Sequence, residues 1–252
     1  MACLGSVLVD PLLARLHDPD PLIRKQILEV LTNIYCRDEN GMDASDPRLI
    51  NTLVSGMADA DACVREKAFY NACTLISNCE ISQEAFARLE QAVVEAISSP
   101  DTHIRKAATR AAYVFRAPAV RNALVTLLQS PDAQTRQWAI QHLGYSHEPP
   151  AVTDALVDAL HDPEIHIEVT LALARLGDSR AIEPLCRLLQ DEAYCYEAVV
   201  MLHRLKVPQA IPALLSLITS RSVPAQDREH AAIVLGEMGL PALNPLLHAG
   251  AD

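Results

Sequence analysis

The sequence predicts an all-α fold, an α-solenoid of about seven helical hairpins closed by a C-terminal half-repeat. Three observations predict it. A two-helix pattern recurs along the 252 residues, apolar content is 50% against only 4% aromatic, and turn residues separate apolar stripes of helical period. The pattern is clearest from Pro118 to Gly144. Its first half places Val120, Leu124, Leu127 and Leu128 on one helical face. Ser130-Pro131-Asp132 then stops that helix, because the residue before a proline is pushed out of the helical region and Asp favours turns and N-caps. The second half carries Arg136, Ala139, Ile140 and Leu143 on one stripe and ends at Gly144, a candidate C-cap. One such hairpin cannot cover its own apolar faces, so it must stack on others.

The second-helix signature is a turn residue, an acid, an apolar-Arg pair and an Ala/Leu stripe. It recurs as DPDPLIRKQILEVL from Asp18, DADACVREKAFYNA from Asp59, SPDTHIRKAATRAA from Ser99, SPDAQTRQWAIQHL from Ser130 and SVPAQDREHAAIVL from Ser222. Two degenerate copies start at Asp162 and Asp191. With Arg24, Arg65, Arg105, Arg136, Glu168, Glu197 and Arg228 as markers, the steps are 41, 40, 31, 32, 29 and 31 residues. First helices fall between them: VLVDPLLARL, DPRLINTLVSGM, SQEAFARLEQAVVEAI, AVRNALVTLL, AVTDALVDAL, AIEPLCRLL and AIPALLSLI. PALNPLLHAG, near the end, is the half-repeat. Residues 38–46, DENGMDASD, read as a polar connection that lengthens the first step. A repeat array is one body with a continuous core, so residues 1–252 are expected to form a single domain.

Composition narrows the function. No run of 18 apolar residues occurs, and MACLGSVLVD lacks a basic region followed by a long apolar core, so neither a membrane span nor a secretory signal is expected. Seven cysteines (3, 36, 63, 73, 79, 186, 195) make no CxxC pair, which points to reduced thiols and a cytoplasmic protein. A net charge of −11 works against a nucleic-acid cradle, which needs a basic stripe to replace phosphate counterions. Residues 65–136 come nearest, with nine Lys/Arg against seven Asp/Glu. Their marker arginines are better placed to bond the acidic turn residue of an adjacent repeat.

Two surfaces are candidates for binding. Positions one and five after the marker Arg should point away from the core, on an inner, concave row: Lys25 and Glu29, Glu66 and Tyr70, Lys106 and Arg110, Gln137 and Gln141. Trp138, the one tryptophan, lies beside that row, as either a wedge between repeats or an interface anchor. The second surface is residues 150–200, where ten acids, including Asp158, Glu164, Glu168 and Glu197, meet three arginines for a net −7, with Tyr194 and Tyr196 among them. Acids with interleaved tyrosines suit a basic protein partner, although an acidic surface also serves solubility.

Little in the sequence suggests catalysis. The nine histidines show no HExxH, His161 and His166 flank a turn, and the His147-Glu148 dipeptide is followed by Pro149-Pro150 in a loop. Neither a phosphate-cradling glycine loop nor a Ser or Cys nucleophile motif is found. No metal or other cofactor is expected.

The repeats resemble HEAT repeats, specifically the short class named after phycobilisome lyases, and LARLGDSRAIEPLCRLLQD (172–191) is the nearest match to that consensus. Deoxyhypusine hydroxylase is similar in repeat layout but depends on His-Glu pairs holding two irons, and those pairs are missing here. A narrower resemblance rests on DACVREKAFYNAC, DAQTRQWAIQHL and GDSRAIEPLCRLLQDEAYCYEAVVML, which are similar to HEAT-repeat proteins encoded beside bacterial Rhs-type toxins. That resemblance implies an immunity protein, which binds a cognate toxin domain and neutralises it without chemistry of its own. The alternative implied by the lyase-type repeats is a bilin lyase or isomerase subunit. Such a subunit would want an apolar groove with aromatic and cationic contacts, and this sequence has few aromatics and is poorest in cations in its acidic half.

Overall fold

A computed structural model describes residues 4–36, 43–115, 117–145, 149–220 and 223–238. They form α1 (Leu4–Leu13), α2 (Pro21–Cys36), α3 (Pro47–Met57), α4 (Ala62–Asn78), α5 (Gln83–Ile97), α6 (Thr102–Ala111) and α7 (Pro118–Leu127). Then follow α8 (Ala133–Leu143), α9 (Pro149–Ala159), α10 (His166–Arg175), α11 (Ile182–Leu188), α12 (Cys195–Leu205), α13 (Ile211–Thr219) and α14 (Ala225–Glu237). Paired in order, they are the seven predicted hairpins. PALNPLLHAG, His147-Glu148 and much of the 38–46 connection lie outside the described residues. The backbone groups into two compact units, Met1–His142 and Leu143–Asp252.

In each unit the core is the predicted Ala/Leu stripe. Leu31, Ile50, Leu53, Ala68, Ala72, Leu89, Ala108 and Ala139 are fully buried in the first, and Leu156, Val169, Leu173, Leu185, Ala198, Leu202, Leu214 and Leu235 in the second. Small residues let the helices approach closely. Gly56 in α3 is the extreme case, because a Cβ there would lie 2.9 Å from the Ala68 Cβ and 3.1 Å from Leu28 Cδ1.

The turns explain the signature. Asp61 accepts hydrogen bonds from the backbone N–H groups of Cys63 and Val64 and caps α4, and Asp101 does the same for His103 and Ile104 of α6. These bonds to charged oxygen hold the Asp101 carboxyl below its ordinary range. The marker arginine reaches back over the same turn. Arg24 donates to the carbonyls of Asp18 and Pro19, Arg65 to Asp59 and Ala60, Arg105 to Ser99 and Pro100, and Arg136 to Ser130. The sequence expectation of a bond to the neighbouring repeat's acid holds for Arg24, which grips the Asp59 carboxylate at 2.9 and 2.7 Å. It needs correction for Arg65 and Arg105: the next turns carry Ser99 and Ser130 where the second has Asp59, and these arginines are spent on their own turns.

The degenerate repeats differ in how the helix begins. The buried stripe of α8, Thr135, Arg136, Ala139, Ile140 and Leu143, is matched in α12 by the half-buried Tyr194 and by Cys195, Ala198, Val199 and Leu202, all buried. In α10 it is matched by Ile165, Val169, Thr170 and Leu173, with His166 in the arginine's place. The true marker slots are therefore His166 and Cys195, two residues before Glu168 and Glu197. A tight turn causes the offset, with the Ile165 N–H bonded to the Asp162 carbonyl and the Tyr194 N–H to that of Asp191. Such a turn leaves no extended carbonyls for an arginine to gather. His166 makes a shorter version of the bond, its Nδ1 lying 3.0 Å from the Pro163 carbonyl.

Helix ends follow the same logic. Gly177 adopts φ +79° after α10, with its own N–H bonded to Ala174 and the Asp178 N–H bonded to Leu173, a left-handed closure that suits glycine. Lys206 performs the same closure after α12 at φ +52°, without that freedom.

Candidate protein-binding surfaces

The predicted outward row is outward in the first unit. Glu29, Glu66, Tyr70, Lys106, Arg110 and Gln141 are exposed, and Lys25 and Gln137 are half-buried. Along α2, α4 and α6 this row opens into a groove of about 470 Å³ lined by Lys25, Cys63, Glu66, Lys67, Phe69, Tyr70, Cys73, Ala107, Arg110, Ala111 and Tyr113. Lys67 sits between repeats, bridged at 3.0 Å to Glu29 and lying 5.4 Å from the centroid of the Tyr70 ring. Trp138 is half-buried and carries the Lys106 ammonium 5.3 Å from its ring centroid, so it joins two repeats and keeps one side open. Gln137 accepts a hydrogen bond from Gln134 one helical turn earlier.

Lys67 and Tyr113 escaped the sequence reading. Lys67 lies two positions after the marker, where only the long reach of its side chain brings it to Glu29. Tyr113 is turned outward because α6 tightens into a 3₁₀ segment over Ala112–Val114. Three bases and one acid line the groove, opposite in sign to the acid-rich residues 150–200.

The second unit holds the acidic candidates. Asp158 on α9 and Glu164 in the following turn are exposed, and Glu168 on α10 is half-exposed. Arg175 of α10 donates to Glu197 on α12 at 2.9 Å and lies 5.5 Å from the Tyr145 ring centroid. The two other arginines of the segment are also engaged, Arg180 with Asp154 and Asp178, and Arg187 with Glu183. The Arg180 guanidinium holds the Asp178 carboxyl below its ordinary range.

Tyr194 and Tyr196 part company. Tyr194 is the half-buried residue that starts α12, whereas Tyr196 is 52% exposed with its ring 4.9 Å from that of His230. Nearby on the same helices His203 meets Glu237 at 2.7 Å. The structure thus places Tyr70, Gln137, Trp138 and Gln141 in the first unit and Asp158, Glu164, Glu168, Tyr194, Tyr196 and Glu197 in the second.

Among the described residues no group of three or more His, Cys, Asp or Glu side chains is arranged to hold a metal ion, and no helix is long and apolar enough to cross a membrane. The six described cysteines are free thiols.

The HEAT repeats family model matches residues 121–200. No curated protein matches the chain closely enough to be called a relative. Among solved structures, importin beta is similar with a TM-score of 0.64 at 16% identity over 92% of this chain and 37% of that one. The E. coli protein YibA is similar with a TM-score of 0.58 at 20% identity, covering 91% of each chain. An engineered protein is similar with a TM-score of 0.51 at 22% identity over 96% of this chain and 71% of that one. Taken with the seven described hairpins, these similarities make the fold an α-solenoid of HEAT-like repeats.

Proposed function

We propose that this chain is a non-catalytic binding protein whose C-terminal unit receives a basic protein partner, most concretely a bacterial toxin domain that it holds inactive. Stacked helical repeats generally serve as extended binding surfaces for other proteins. One observation carries the choice of partner. Residues 150–200 hold ten acids against three arginines, and all three arginines are engaged by acids of the same segment. No cation of that segment is left over to offer an acidic partner, and the residual field attracts a basic one. Tyr196 supplies an exposed aromatic of the kind that anchors an interface. Inhibition would be steric and electrostatic, through cover of the toxin's active or substrate-binding face.

The test is affinity capture from the source cell with the tagged chain, followed by mass spectrometry and an absorbance scan of the eluate. The reading expects one basic protein in near-stoichiometric amount, no chromophore, and relief of growth arrest when that protein is expressed together with this chain. A coloured eluate containing a phycobiliprotein would replace it with the bilin-lyase reading.

A further inference from the structure

The groove of the first unit has the opposite electrostatic character. We infer that it docks an acidic segment of a protein, one that sets aspartate or glutamate side chains beside an aromatic or apolar residue. Lys25, Lys67 and Arg110 line it against the single acid Glu66, in a chain whose overall charge is −11. The cations are thus in local excess on a protein that is acidic as a whole. Lys67 is committed to Glu29 and the Tyr70 ring. Lys25 and Arg110 make no ion pair among the described residues, so they are the two groups that would receive carboxylates. Tyr70 and Tyr113, 65% and 67% exposed, bracket the groove with aromatic surface. A volume of about 470 Å³ accommodates a few side chains and is too small for a folded domain.

A peptide fits this arrangement better than a nucleic acid. Glu66 stands among the cations and Glu29 holds Lys67, so a strand with a charge on every phosphate would be forced past carboxylates. A peptide can set its acids opposite Lys25 and Arg110 and leave a neutral residue against Glu66. The inference goes beyond the basic-partner reading and does not depend on it, because it concerns different residues in a different unit.

Fluorescence anisotropy with three labelled probes tests it: a short peptide alternating Glu with Tyr and Leu, its Lys-for-Glu counterpart, and an oligothymidine of equal length. The glutamate peptide should bind in a salt-sensitive manner and more tightly than the other two. Lys25→Glu with Arg110→Glu should weaken it by about tenfold or more. Lys25→Gln with Arg110→Gln serves if charge reversal disturbs folding, judged by helical circular dichroism. The pair Asp158→Lys and Glu192→Lys in the second unit should leave peptide binding intact, which separates the fate of this site from that of the basic-partner surface. Absence of glutamate-peptide binding, an unchanged affinity in the groove variants, or tighter binding of the lysine peptide or the oligonucleotide would each overturn the inference.

Discussion

Arg24 and Asp59, 35 residues apart, form a two-point ion pair at 2.7 and 2.9 Å with both side chains about 85% shielded from solvent, and this pair ties the first turn to the second. Its neighbours lack it because their turns carry serine. Arg24 holds the Asp59 carboxyl below its ordinary value of 3.8. A carboxylate whose folded pKa is depressed contributes stability that is present above the unfolded value and is lost as pH falls through the folded one. Asp59→Ser should therefore lower the urea midpoint at neutral pH, and the gap from the wild type should close as pH drops below about 4. Asp10→Asn, at the exposed Arg48–Asp10 pair, should change little at either pH.

Gly56 is where α3 rests on both α2 and α4. Substitution by alanine forces a methyl group against Ala68 and Leu28. The expected loss is about 1–3 kcal/mol, the usual cost of overfilling a packed core. Gly236→Ala, where an added Cβ meets nothing within 4 Å, should instead be neutral or stabilising. Denaturant titration of the two variants distinguishes packing from helix propensity.

Lys206 closes α12 in the left-handed region at φ +52°. The equivalent closure of α10 uses Gly177, which shows what the position prefers. Lys206→Gly should raise stability by about 0.5–1 kcal/mol, as relief of strain outweighs the added freedom of the unfolded chain. A lower melting temperature would mean that the lysine side chain makes a contribution of its own.

Burial pushes the His142 imidazole below its ordinary 6.5. The unfolded chain then binds a proton more readily than the folded one, so this group's contribution is full above about 6.5 and declines as pH falls below it. His142→Gln should flatten the pH dependence of the urea midpoint between neutral and mildly acidic solution. An unaltered slope would assign the dependence to other groups.

The fold was legible because apolar spacing and turn residues repeat, and the boundaries of α7 and α8 fall where Pro118 and the Ser130-Pro131-Asp132 stop place them. In the two degenerate repeats the spacing points two residues past the true slots, His166 and Cys195. Their acids at 168 and 197 occupy the spacing of the arginines, and nothing in the sequence reveals that Asp162 and Asp191 start tight turns rather than extended ones. The outward row and its charges were readable by periodicity, yet the groove was not. That depends on Lys67 reaching across to Glu29 and on the 3₁₀ segment that turns Tyr113 outward, both of which are matters of three-dimensional placement.

Titration calorimetry of the captured basic partner into this chain, compared with a variant carrying Asp158→Lys, Glu192→Lys and Tyr196→Ala, decides whether the C-terminal unit is the binding surface. One-to-one binding that weakens with added salt is expected, falling at least about tenfold in the variant with its helical spectrum unchanged. Equal affinity for both proteins would contradict it and remove the C-terminal unit as the binding surface.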